Sequence, residues 1–129
     1  RARSVAMSGA VGEGNKYNFG WANWKTVTKS TGFRNPGPSG VWVFIDEHPD
    51  SIEDAILYTP NIPVSPLIEM PGSQHGGACG VTFADGHAEI HKWQGKFKNR
   101  SVNYQYSINL PIPVTDPDLI WLANRTPVN

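Results

Sequence analysis

Hydrophobic and polar positions alternate most clearly over residues 75–93, HGGACGVTFADGHAEIHKW. Asp85-Gly86 sits at the centre. An Asp-Gly pair between alternating segments predicts a two-residue β-hairpin with a type I′ turn. That turn sets Phe83 opposite Ala88, Thr82 opposite Glu89 and Val81 opposite Ile90. Side chains alternate along a strand, so Val81, Phe83, Ala88 and Ile90 then share an apolar face. Thr82, His87, Glu89 and His91 share the other, polar face. A slip of one residue would turn Glu89 and both histidines inward, so the pattern specifies its register.

Other elements follow from the same patterning. Val41-Trp42-Val43-Phe44-Ile45 is continuous, β-branched and aromatic, and predicts a central strand buried on both faces. It ends at Asp46-Glu47-His48-Pro49-Asp50, because Pro49 cannot continue a ladder. Arg3 to Met7 and Ala55 to Tyr58 read as short strands. Ser51-Ile52-Glu53-Asp54 fits a capping pattern for one helical turn. Residues 31–40 and 60–72 are broken by Pro and Gly and read as loops. An edge strand is expected within Tyr104 to Val114. Asp116-Pro117-Asp118 signals a helix start, with an acidic cap and Pro at the first position, leading into a short helix over Leu119 to Asn124. Phe19, Trp21 and Trp24 read as aromatic anchors near a turn. The fold class expected is α+β and β-rich: an antiparallel sheet with long Pro/Gly-rich loops and little helix. Val41–Ile45 and the hairpin form its centre.

Length and composition narrow the class. The chain has 129 residues, which predicts one domain over 1–129 with a sizeable core. Eleven basic and eleven acidic residues balance, with no basic cluster, which argues against nucleic acid as a partner. The one cysteine, Cys79, has no internal disulfide partner and reads as a packed thiol. No apolar run is long enough to span a bilayer.

Three groups of residues are candidates for chemistry. Asp46, Asp50 and Asp54 recur every four residues after the predicted central strand, and an oxygen-rich loop of this kind can hold calcium. The alternative is a turn whose carboxylates cap backbone amides. His87, Glu89 and His91, with His75 upstream, are candidate zinc ligands, or else the polar face of an amphipathic hairpin. His75 is expected to bond the backbone of the Gly-rich bend. A metal-dependent hydrolase would draw on His75, Asp85, His87 and Asp46. Nine Trp and Tyr residues suit a glycan-binding surface or an aromatic core.

One family resemblance runs through these segments. His75, nine intervening residues and Asp85-Gly86 form an H-X9-DG pattern. With Phe83 to His87 and His91-Lys92-Trp93, it resembles the C-terminal module of bacterial prepilin-like, type II secretion pseudopilin-like proteins abundant in Planctomycetes and Verrucomicrobia. Val43 to Ile52, Arg1 to Ser8 and Asp116 to Leu122 resemble other blocks of that family. The resemblance implies a non-enzymatic structural subunit, the globular head of an envelope or extracellular filament protein. His75, Asp85, Gly86 and His87 would then be a structural motif, with other copies or related subunits as partners. It also implies a precursor anchored in the membrane by an apolar N-terminal helix, of which this chain is the C-terminal part. A calcium site in the head is consistent with the family.

Overall fold

The computed structural model describes residues 4–12, 26–58, 62–63, 65–104 and 108–127. Five strands form one sheet: β1 (Val5–Ser8), β2 (Trp42–Asp46), β3 (Ile56–Leu57), β4 (Ala78–Phe83) and β5 (Ala88–Lys92). The spatial order is β3-β1-β2-β4-β5. One helix, α1 (Pro117–Ala123), and two single 3₁₀ turns, Ser30–Gly32 and Pro38–Gly40, complete the regular elements among the described residues. The chain is therefore α+β and β-rich. The sheet is mixed, however, not wholly antiparallel: β3 runs parallel to β1, pairing Met7 with Ile56 and Ser8 with Leu57. Among the described residues no helix is long and apolar enough to cross a membrane.

β2 lies at the centre, as its apolar run predicts, but only one of its faces is covered. Trp42 and Ile45 are buried, while Phe44 is 45% exposed. Two residues of β2 oppose one of β4 at this point, since Trp42 pairs with Phe83 and Phe44 with Thr82. This bulge lets two side chains three positions apart face the same core, which strict alternation forbids. Thr82 Oγ1 accepts the Phe44 amide at the irregularity.

The hairpin forms, with a different turn. β4 and β5 pair Thr82 with Ala88, Val81 with Glu89, Gly80 with Ile90 and Cys79 with His91. The loop has three residues, Ala84, Asp85 and Gly86. Gly86 N donates to Phe83 O, and Phe83 N donates to His87 O. Only Gly86 has positive φ, at 93°; Asp85 does not. A type I turn closed by glycine in a bulge is the common three-residue solution, and here it replaces the expected type I′ turn. The register therefore shifts by one. Ile90 lands on the outer face, 67% exposed. His87, Glu89 and His91 land on the inner side. β5 is an edge strand reaching beyond the core, so Glu89 stays in water and the histidines lie against aromatic rings.

The core lies between the sheet's inner face and the loops that return over it. Trp42, Trp93 and Phe97 are its largest fully buried side chains. Trp93 meets Phe97 edge-on at 5.1 Å and Trp121 at 5.7 Å, and its indole N–H donates to Gly72 O at 2.8 Å. α1 begins as its cap predicts: Asp116 accepts the amides of Asp118 and Leu119, with Pro117 at the first position. Residues 51–54 form turns and no helix. Between 104 and 114 the described residues hold a single bridge, Leu67 to Leu110, and no strand. Phe19, Trp21 and Trp24 lie outside the described residues.

Candidate functional site

The acidic block after β2 divides among separate tasks. Asp46 Oδ2 accepts the Gly80 amide at 2.8 Å and lies 3.2 Å from His75 Nε2. Asp50 turns the other way, accepting the amides of Asn103 and Tyr104, the latter at 2.6 Å. Burial pushes the Asp50 carboxyl upward, but those two amides, with His48 and Arg100 nearby, more than offset it and hold it below its ordinary value. Tyr104 is pinned by this contact in left-handed backbone at φ 55°, a conformation uncommon for a bulky residue. Asp54 Oδ1 accepts the Ile56 amide at 2.7 Å, ordering entry to β3. The structure thus does not bring Asp46, Asp50 and Asp54 together. No group of three or more His, Cys, Asp or Glu side chains among the described residues is placed to hold a metal ion.

His48 works inside the same loop. It is 2% exposed; its Nδ1 accepts the Asp50 amide, and its Nε2 lies 3.4 Å from Arg100 O. Beside it the Ser51 hydroxyl donates to Glu47 Oε1 at 2.9 Å.

The hairpin residues form two further groups. At the tip, Asp85 accepts the His87 amide and pairs with its Nδ1, which holds the Asp85 carboxyl below its ordinary value. The His87 ring stacks flat on Phe83, with centroids 4.3 Å apart. Farther along β5, His91 stacks on Trp121 at 3.8 Å, and the Arg125 guanidinium lies 4.1 Å from the same indole. Burial, with a contribution from Arg125, pushes the His91 imidazole below its ordinary value despite Glu89. His75 bonds a carboxylate rather than the backbone of its bend, correcting the expectation; its side chain is 58% exposed. The His75–Asp46 pair lies at Gly80 and the Asp85–His87 pair at the tip beyond Phe83, three strand positions or about 10 Å farther along β4. The four residues of the hydrolase reading are not convergent. Cys79 is fully buried, and burial, reinforced by Asp46, Asp118 and Glu89, pushes its thiol far up, so it holds little thiolate.

No family model, curated protein or solved structure matches this chain.

Two carboxylates carry more of the architecture than their sequence context signals. Asp118 is 1% exposed and accepts three amides, from Gln94 and Gly95 at 2.8 Å and Phe97 at 3.1 Å. It ties α1 to the loop leaving the hairpin. Asp116 adds the Lys96 amide at 3.1 Å to its capping bonds. An acid at the second helical position ordinarily faces solvent and the helix dipole. Nothing in the sequence around Asp118 signals its three bonds, and the reason for glycine at position 95, where a Cβ would collide with both Asp116 oxygens, is visible only in the fold. Glu69 is the other. It is 9% exposed and accepts the Tyr58 amide. Burial, with Asp54 and Glu53 nearby, pushes its carboxyl up to about 7 despite that bond.

The outer face of the sheet carries a groove of about 390 Å³ above Gly80, lined by residues that include Val5, Phe44, Asp46 and Ile90.

Proposed function

We propose that this chain is the globular head of a pseudopilin-like envelope or extracellular filament protein, acting as a non-enzymatic structural subunit. What supports the reading is how the residues of the resemblance are used. Asp46, Asp50, Asp116 and Asp118 each accept backbone amides from a segment distant in sequence. His75 braces Asp46, and Gly86 closes the hairpin. Side chains engaged in this way hold loops at fixed positions. A general acid, base or nucleophile needs instead to reach a shared reacting atom. A rigid head built on a one-sided sheet suits display at the surface of an assembly.

The test is made on the full coding region, carrying a C-terminal epitope and expressed with and without a prepilin peptidase. The reading expects a short basic leader and roughly twenty apolar residues upstream of Arg1, peptidase-dependent shortening of the product, and recovery in envelope or sheared surface fractions. An uncleaved product found only in the cytosol overturns it.

A further inference from the structure

We propose that β5 is a self-pairing edge: it joins β5 of a second copy, antiparallel, about a twofold axis at Ile90. The inference rests on the strand itself and stands apart from the filament reading. β5 closes one side of the sheet and carries no Pro, Gly or bulge over Ala88–Lys92. The opposite edge, β3, is two residues long and offers little to pair with. Natural edges are blunted by shortness, irregularity, edge lysines or inward-pointing charge. β5 is neither short nor irregular, but it carries Lys92 and the inward-facing Glu89, so only a partner strand that accommodates both can pair with it.

The hydrogen-bond phase selects the partner. Phe83 N donates to His87 O, and Trp93 N to Gly77 O. Alternation along the ladder then directs the peptide groups of His87, Glu89, His91 and Trp93 toward β4, and those of Ala88, Ile90 and Lys92 outward. A twofold axis at Ile90 aligns outward groups with outward groups: Ile90 with Ile90 of the copy, and Ala88 with Lys92. One outward carbonyl, Lys92 O, accepts from the Gln94 side-chain Nε2 at 3.3 Å, and that cap yields to the partner's Ala88 N–H. On the inner face the same axis sets Glu89 opposite His91 of the copy, twice. Sliding one chain by two residues one way sets Glu89 against Glu89, like charges directly opposite, which is unfavourable. Sliding it the other way sets His91 against His91 and gives up both Glu89–His91 pairs. The chosen register also sets the Lys92 ammonium beside a small Ala88. It brings the two Ile90 side chains together, covering the most exposed aliphatic side chain among the described residues, at 67%. The contact is isologous, as closed dimers require, and small, so association is weak and concentration-dependent.

Disulfide trapping in the 129-residue chain tests the register. Residues in a hydrogen-bonded pair have Cα atoms about 5.5 Å apart, within reach of a disulfide. The two copies of residue 88 would be roughly 14 Å apart. Ile90→Cys is expected to crosslink as a dimer at least about tenfold faster than Ala88→Cys under mild oxidation. Buried Cys79 does not compete. Equal rates, a faster Ala88→Cys, or no dimer from either overturns the proposal. Sedimentation velocity gives a second reading. The parent shifts toward dimer as its loading concentration rises, while Ile90→Pro, which removes only an outward N–H, stays monomeric with an unchanged circular dichroism spectrum. A parent that stays monomeric throughout, or a folded Ile90→Pro that still dimerises, overturns it. If Ile90→Pro does not fold, the crosslinking comparison decides.

Discussion

Asp118→Asn should destabilise the fold by about 3 kcal/mol without leaving a cavity. Oδ2 of Asp118 accepts Gly95 and Phe97, and Oδ1 accepts Gln94. Asparagine is nearly isosteric but offers one oxygen. If that oxygen serves Gly95 and Phe97, its NH₂ group faces the Gln94 N–H, donor against donor. An unsatisfied buried donor costs about 1–3 kcal/mol. The two surviving bonds lose their charge assistance, which is roughly half of each. Relief of carboxylate desolvation offsets part of this. Urea unfolding followed by tryptophan fluorescence measures the result, since Trp93 immediately precedes the tied segment and Trp121 lies in the helix to which it is tied. With a slope of about 2 kcal/mol per molar, typical of small domains, the midpoint should fall by roughly 1.5 M at unchanged slope. A loss under about 1 kcal/mol would show that the three amides find water as readily as carboxylate, and the hub argument would fail.

Other positions give independent checks. Glu69, with its folded carboxyl near 7 against an ordinary 4.5, binds its proton more tightly in the fold. Its contribution is fully present below pH 4.5 and is lost as pH rises toward 7, so Glu69→Gln should flatten the decline in urea midpoint between pH 5 and pH 8, by about 2 kcal/mol; an equal decline in both proteins refutes the assignment. Gly86→Val should cost about 1 kcal/mol or more in thermal unfolding because of its positive φ, and Gly86→Asn less; equal stability of Gly86→Val and the parent would refute the loop assignment. Gly95→Ala should lower the melting temperature, because its Cβ displaces the Asp116 carboxylate from Lys96 and from the helix cap, a loss of about 1–2 kcal/mol. Cys79 should react with a thiol reagent only on unfolding; rapid labelling of the native protein would contradict its burial.

The legible parts of the chain were those governed by local chemistry. The Asp116-Pro117 start of α1 needs no distant partner, and the apolar run at 41–45 needs a central place whatever packs beside it. The hairpin was legible as a hairpin, but its register was not. Asp-Gly satisfies both a two-residue turn and the last two positions of a three-residue loop, and the choice rests on packing. Here Phe83 finds the His87 ring and Cys79 finds His91 across the ladder, while Trp121, thirty residues away in sequence from His91, completes the stack. Alternation could not show that Ile90 faces water, because an edge strand leaves even a large aliphatic side chain uncovered. The bulge at Val43 was hidden for a similar reason, as a continuous apolar run carries no phase. The acidic positions invited a shared ion, but carboxylates four residues apart converge only on a helix or in a wrapped loop. This segment turns sharply at Pro49 and sends them to three different parts of the chain.

The carboxylate anchors grip peptide N–H groups, which every residue except proline possesses. The anchored residues Gln94, Lys96 and Asn103 are therefore free to change their side chains while keeping their path, whereas Gly95 and the buried Phe97 beside them are not. Such a frame tolerates drift in what it displays, and its intolerance concentrates in four aspartates and in any proline introduced where an anchored amide must be.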